Sequence, residues 1–153
     1  MSPIEITSTV IQLIAQIEQR IPACMQNPQD RDNCQGNVTL MIIAEGGQMF
    51  GQMFGDNKAR RRGTCRTAWH KATQVWMTGQ ATGQFERRVY GEGVDPGQFG
   101  LTHPELVGWD GGLPVVASDG TKFAVAMSGF TGVTDCRIIR EAVAAVPGLR
   151  MAE

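Results

Sequence analysis

The chain has 153 residues, 42% of them hydrophobic, and a net charge of −1. That suffices for one domain with an ordinary core, and so weak a net charge supplies no global field for nucleic acid or an anionic membrane. No run of about 18 apolar residues occurs, so no transmembrane helix is expected. The opening Met1-Ser2-Pro3-Ile4-Glu5 has neither the basic start nor the apolar core of a secretory signal, which makes the cytoplasm the expected address.

Ser2 and Pro3 start a helix carrying Ile4, Ile6, Val10, Ile11, Leu13, Ile14 and Ile17 at helical spacing, and Ile21-Pro22 is expected to end it. A polar loop, Gln26 to Asn37, leads to a β-type run from Val38 to Ile43. Glu45-Gly46-Gly47 turns the chain into a second strand around Gln48 to Phe54. Asp56 or Asn57 caps a long helix through about Met77, with Gly63 a weak point inside it. A short helix around Gln84 to Tyr90 precedes an irregular stretch, Gly91 to Gly108. Asp110 to Val116 and Phe123 to Gly129 read as two apolar strands joined at Asp119-Gly120, a strong hairpin signal. Thr131 or Thr134 caps a last amphipathic helix with Ile138, Ile139, Ala142, Val143 and Val146, closed by Pro147-Gly148. This order predicts an α+β fold over residues 1–153, a single domain with a small antiparallel sheet and helices packed on it.

Four cysteines, Cys24, Cys34, Cys65 and Cys136, form no C-x-x-C pair, and only two histidines are present, so a structural zinc site is not indicated. Free thiols are expected, although Cys24 and Cys34 flank one polar loop and could bridge in an oxidising setting. The pattern that stands out is basic. Lys58, Arg62, Arg66 and His70 recur every fourth residue on the long helix, with Arg60, Arg61 and Lys71 widening the band. Like charges at this spacing repel by about 0.2–0.5 kcal/mol per pair. Ion pairs to Glu86, Asp95 or Glu105 would offset that, and so would the carboxylates or phosphates of a ligand, for which arginine's planar fork is suited. His70 and His103 could each ligate a metal or haem iron or act as a general base; a hydrogen-bonded surface or helix-face histidine is the plainer role. Cys65, one turn from Arg62 and Trp69, could serve as a nucleophile or soft ligand, though a buried structural thiol is the commoner outcome. No P-loop, no dinucleotide-binding glycine motif after a strand and no nucleophile elbow around Ser128 is present.

Several segments in order resemble the haem-degrading-domain family of GlcG-like and HbpS-like proteins. They are Gly46-Gly47-Gln48-Met49-Phe50, Asp56-Asn57-Lys58-Ala59, Phe85-Glu86-Arg87-Arg88-Val89, Asp95-Pro96, Gly111-Gly112-Leu113-Pro114-Val115 and Val125-Ala126-Met127-Ser128-Gly129, spanning about residues 38–146. The resemblance implies a profilin-like fold with a central antiparallel sheet, assembly into dimers or larger rings, and, for some members, haem binding or breakdown. Two departures are visible: Asp110 stands where some relatives place a His before the Gly-Gly pair, and Leu101 to Gly108 looks inserted.

Two readings follow. In the first the protein is a haem-binding homo-oligomer, with Arg62 and Arg66 toward propionates, His70 or His103 as axial ligand, and Trp69 or Trp109 against the macrocycle. In the second it is an enzyme on a carboxylated metabolite. The basic stripe holds the carboxylate, and His103, Asp110 or Glu105 handles protons beside Gly111-Gly112, whose N–H groups could stabilise an oxyanion. The apolar residues Met41, Met49, Phe50, Met53 and Phe54 could line a subunit interface, with about half of them expected in the core.

Overall fold

The computed structural model describes residues 1–152. Its elements are α1 (Pro3–Cys24), α2 (Pro28–Cys34), β1 (Val38–Ala44), β2 (Met49–Phe54), α3 (Lys58–Thr78), α4 (Thr82–Glu92), a 3₁₀ turn (Pro96–Phe99), β3 (Gly112–Ala117), β4 (Lys122–Ser128), α5 (Gly132–Ala145) and β5 (Leu149–Met151). The strands lie in the order β2-β1-β4-β3-β5, and every neighbouring pair is antiparallel. The expected α+β sheet with packed helices is what forms.

Alternation along the strands sorts their side chains between two faces. Leu40, Ile42, Leu113, Val115, Val125 and Met127 point to one face and meet Val10, Leu13 and Ile17 of α1 and Ile138, Ile139 and Ala142 of α5 in the main core. Truncating one of these, Leu13→Ala for example, costs about 2–5 kcal/mol in such a setting. On the other face Ile43, Ala124 and Ala126 pack beneath Ala72 and Val75 of α3. Small residues at the sheet and on the helix let α3 lie close. A third, smaller cluster of Phe85, Leu101 and Leu106, with Phe99 set edge-on to Phe85 at 5.3 Å, ties α4 to the loop that follows it.

Several boundaries differ from expectation. α1 begins as predicted, with Ser2 and Glu5 forming a reciprocal capping box and Pro3 in the first turn, but it runs through Pro22 to Cys24. Ile4 and Ile11 face solvent rather than the core, because the buried stripe runs Ile6, Val10, Leu13, Ile17, Ile21. The expected loop at 26–37 contains α2, started by the Asn27 side chain, which accepts from Gln29 and Asp30 N–H groups, and by Pro28 in the first turn. Asn57, not Asp56, caps α3, and Thr131, not Thr134, caps α5. β5 was not expected; it adds an edge beside β3. All four cysteines are free thiols. Among the described residues no helix is long and apolar enough to cross a membrane.

Candidate functional site

Helix α3 governs the surface chemistry because it lies over one part of the sheet and leaves another part open. A step of four residues exceeds a 3.6-residue turn, so each step advances about 40° around the axis. The basic residues spaced by four therefore do not share one face. Lys58, Arg62 and Arg66 border a groove between α3 and β2, whereas Arg66 and His70 border a separate cleft on the opposite flank, against Pro104, Val107 and Trp109. The predicted single stripe is thus split across the helix crest.

The groove on the β2 side encloses 790 Å³. Its floor comes from the uncovered end of the sheet. Met41 on β1 and Met53 on β2 are cross-strand neighbours on the α3 face, offset by two residues, and Met53 remains 48% exposed since no helix lies over β2. The wall is Lys58, Arg61, Arg62, Cys65, Arg66 and Trp69. Among the described residues, none of the four basic groups makes an ion pair, and the Arg61 Nε is buried without an acceptor. The ion pairs expected with Glu86, Asp95 or Glu105 do not form. Of the five candidate interface residues, Met49 and Met53 are exposed, Phe50 and Phe54 pack partly against the main core, and Met41 leans on the α3 side.

A different cleft, of 510 Å³, opens at the other end of the sheet over Lys71. Lys71 does not belong to the exposed positive band, which corrects its expected place there. Three residues after Ala68 and four before Val75, it sits on the buried side of α3 and is 3% exposed. Its ammonium donates to the Met127 carbonyl at 2.9 Å and to Asp135 Oδ2 at 3.3 Å. Burial pushes the Asp135 carboxyl up to about 6 against the opposing pull of Lys71. The other oxygen, Oδ1, is buried with no partner. Missing side chains make room for this convergence. Gly111, at φ +121°, would place a Cβ 2.5 Å from Lys71 Nζ, and Gly132 would place one 2.8 Å from the Asp110 Cβ. Asp110 in turn lies against Gly83 at the start of α4, a helix with no side-chain cap of its own.

The other predicted site residues distribute as follows. Asp110 lines the Lys71 cleft. His103 is exposed and lies 3.2 Å from the Tyr90 hydroxyl, and Glu105 is exposed on the same loop; neither lines any of these clefts. Of the three alternatives for proton transfer, only Asp110 lines one of these clefts. Gly111 and Gly112 are buried. Gly112 N–H donates to Thr82 Oγ1 at 3.2 Å, and burial raises the pKa of the nearby Cys136 thiol. The Gly112 amide is engaged inside the fold, and neither glycine lines one of these clefts. No cluster of three or more His, Cys, Asp or Glu side chains that could hold a metal ion occurs among the described residues. Sequence reasoning missed Lys71, Asp135 and Gly132 as one unit. The available signal was Lys71 at helical spacing with small apolar residues.

The sequence matches no family model and no curated protein. Solved structures do match. A PduOC:haem complex superposes with a TM-score of 0.69 at 16% identity, over 95% of this chain and 96% of the other. The Klebsiella pneumoniae protein ORFY gives 0.65 at 18% identity, over 91% and 88%. HbpS gives 0.62 at 15% identity, over 92% and 87%. The chain therefore has the fold of the HbpS/GlcG-like proteins, over nearly its whole length.

Proposed function

We propose that this protein binds haem, or a flat amphipathic anion of that kind, in the groove between α3 and β2. One observation carries the reading: four unpaired basic side chains and Trp69 wall a groove floored by Met41 and Met53. Apolar surface and unneutralised charge side by side suit a ligand with an apolar plane and acidic edges. The groove volume falls in the range of small-molecule and cofactor sites, roughly 300–1,000 Å³. That a similarly folded structure was solved as a haem complex supports the choice of haem among such anions.

The residues present fit the group. Arg62 and Arg66 would take carboxylates bidentately, and the orphaned Arg61 Nε offers a further donor. Met41, Met53 and Trp69 would cover apolar faces. When bound, haem would supply redox and gas-binding chemistry, tuned by whichever protein atom meets the iron. We assign that contact to Cys65, on the groove wall; His70 lines the cleft on the opposite flank of α3 and does not border the groove. His103, held by Tyr90 on its own loop, ranks below both. The proposal includes a homo-oligomer, a dimer or larger ring, that covers Met49 and Met53, and a cytoplasmic address.

The test is a haemin titration of the purified protein followed by absorbance. A saturable Soret shift is expected, weakened at least tenfold by Arg62→Ala/Arg66→Ala. Cys65→Ser and His70→Ala then separate thiolate from imidazole ligation by the spectrum each leaves. A titration that never saturates would sink the reading.

A further inference from the structure

The cleft over Lys71 shares no lining residue with the β2 groove, so it stands or falls separately. A purely structural role for the Lys71–Asp135 pair would explain why α3 is tied to the end of β4 and the start of α5. It leaves four polar groups unexplained. The Lys71 ammonium has three hydrogens and two acceptors, so one N–H is free at a cleft the side chain itself lines. Asp135 Oδ1 has no partner although it is buried. Among the described residues, the backbone N–H groups of Gly132 and Val133 also donate to nothing, while the next two amides of α5 are satisfied by Thr131. Both residues line the same cleft.

Taken together, a buried ammonium and the open N-terminus of a 14-residue helix meet at one cavity, which favours negative charge. The wall opposes too much of it. Asp110, exposed and without an ion pair, lines the cleft, and Asp135 stands behind Lys71. A doubly charged phosphate would face two carboxylates across one lysine. A carboxylate, with half that charge, meets about half the repulsion, and an amino or hydroxyl group on the same small molecule would find an acceptor in Asp110. We propose that this cleft is a binding site for a small monocarboxylic acid, its carboxylate held by Lys71 and the Gly132 and Val133 amides and a neighbouring amino or hydroxyl group by Asp110.

The experiment is an amide NMR titration of the ¹⁵N-labelled full chain with sodium acetate, glycine and inorganic phosphate, read at Gly132 and Val133. Saturable shifts are expected with acetate and glycine, and binding about tenfold weaker with phosphate. Lys71→Met would also strand Asp135 and can unfold the chain, so the deciding variant is Val133→Pro. Val133 is 75% exposed, and proline is tolerated in a first turn, where it removes one free N–H and no helical bond. That variant is expected to keep its melting temperature and to weaken acetate about five- to tenfold. Asp110→Asn is expected to weaken glycine and leave acetate unchanged. Shifts that stay linear in concentration, phosphate binding tighter than acetate, or Val133→Pro binding acetate as the parent does would each overturn the assignment.

Discussion

The two cavities beside α3 are built on opposite principles. The β2 groove exists because coverage stops: the helix ends its reach over β1, and the last strand is left with its methionines bare. The Lys71 cleft exists because packing is pushed to its limit, with a lysine, an aspartate and the Gly111-Gly112 pair fitted under the same helix. In the first, charge is unpaired and, the Arg61 Nε apart, largely exposed. In the second, charge is desolvated and committed to neighbours. The same residue type, a basic side chain on one helix, thus serves ligand capture on one flank and internal architecture on the other, and the roughly 180° of helical rotation between Arg62 and Lys71 decides which.

Stability measurements should separate the flanks sharply. Lys71→Ala is expected to cost about 3–5 kcal/mol at pH 8 by denaturant unfolding, since it leaves Asp135 buried and unpaired. At pH 5 the loss should shrink, because the stranded carboxyl can take a proton. Gly111→Ala should cost about 2–3 kcal/mol, through both its positive φ and the contact with Lys71 Nζ. If that variant melts with the parent, the convergence is looser than described.

pH sharpens the contrast. The Asp135 carboxyl titrates near 6 in the fold and near 3.8 in an open chain. The folded state then holds a proton that the unfolded state has released, so the stabilisation is full below about pH 4 and is lost as pH rises through 6. The expected fall is on the order of 2–3 kcal/mol, absent in Asp135→Asn. A flat stability profile across that window in the parent would contradict it. The smallest effect belongs to the groove. Arg62→Ala should shift stability by less than about 0.5 kcal/mol, or raise it slightly by relieving repulsion with Lys58 and Arg66, while weakening haemin binding. A large loss of stability there would mean the arginines serve packing after all.

How much of this was legible in the sequence depends on what each element rests on. α1, α3 and α5 and the first four strands announce themselves through periodicity and caps. α2 carries no apolar repeat, yet Asn27-Pro28 with Asp30 in the first turn is a helix start that can be read; the loop assignment overlooked it. β5 is three residues and has no pattern to show, since only its partner β3 defines it. Asp110, Arg62 and Arg66, singled out from the sequence, do line cavities, whereas Gly111 and Gly112 lie inside the fold. A glycine pair suggests open backbone, whereas the approach it permits comes from inside the fold. His70 and His103 could not be related from sequence, because their relation depends on how the 101–109 loop folds back against α3.

The glycines around Asp110 have a consequence for how this protein would respond to random mutation. A saturation screen scored by folding would rank Gly111 and Gly132 among its least tolerant positions, though neither contributes an atom of side chain to any reaction. It would rank Lys58, Arg62 and Arg66 among the most tolerant. A screen scored by ligand retention would reverse that order for the arginines and leave the glycines where they were. The residues that speak loudest about this molecule's viability are therefore mute about its task, and the difference between the two screens, position by position, would draw the boundary of the working surface.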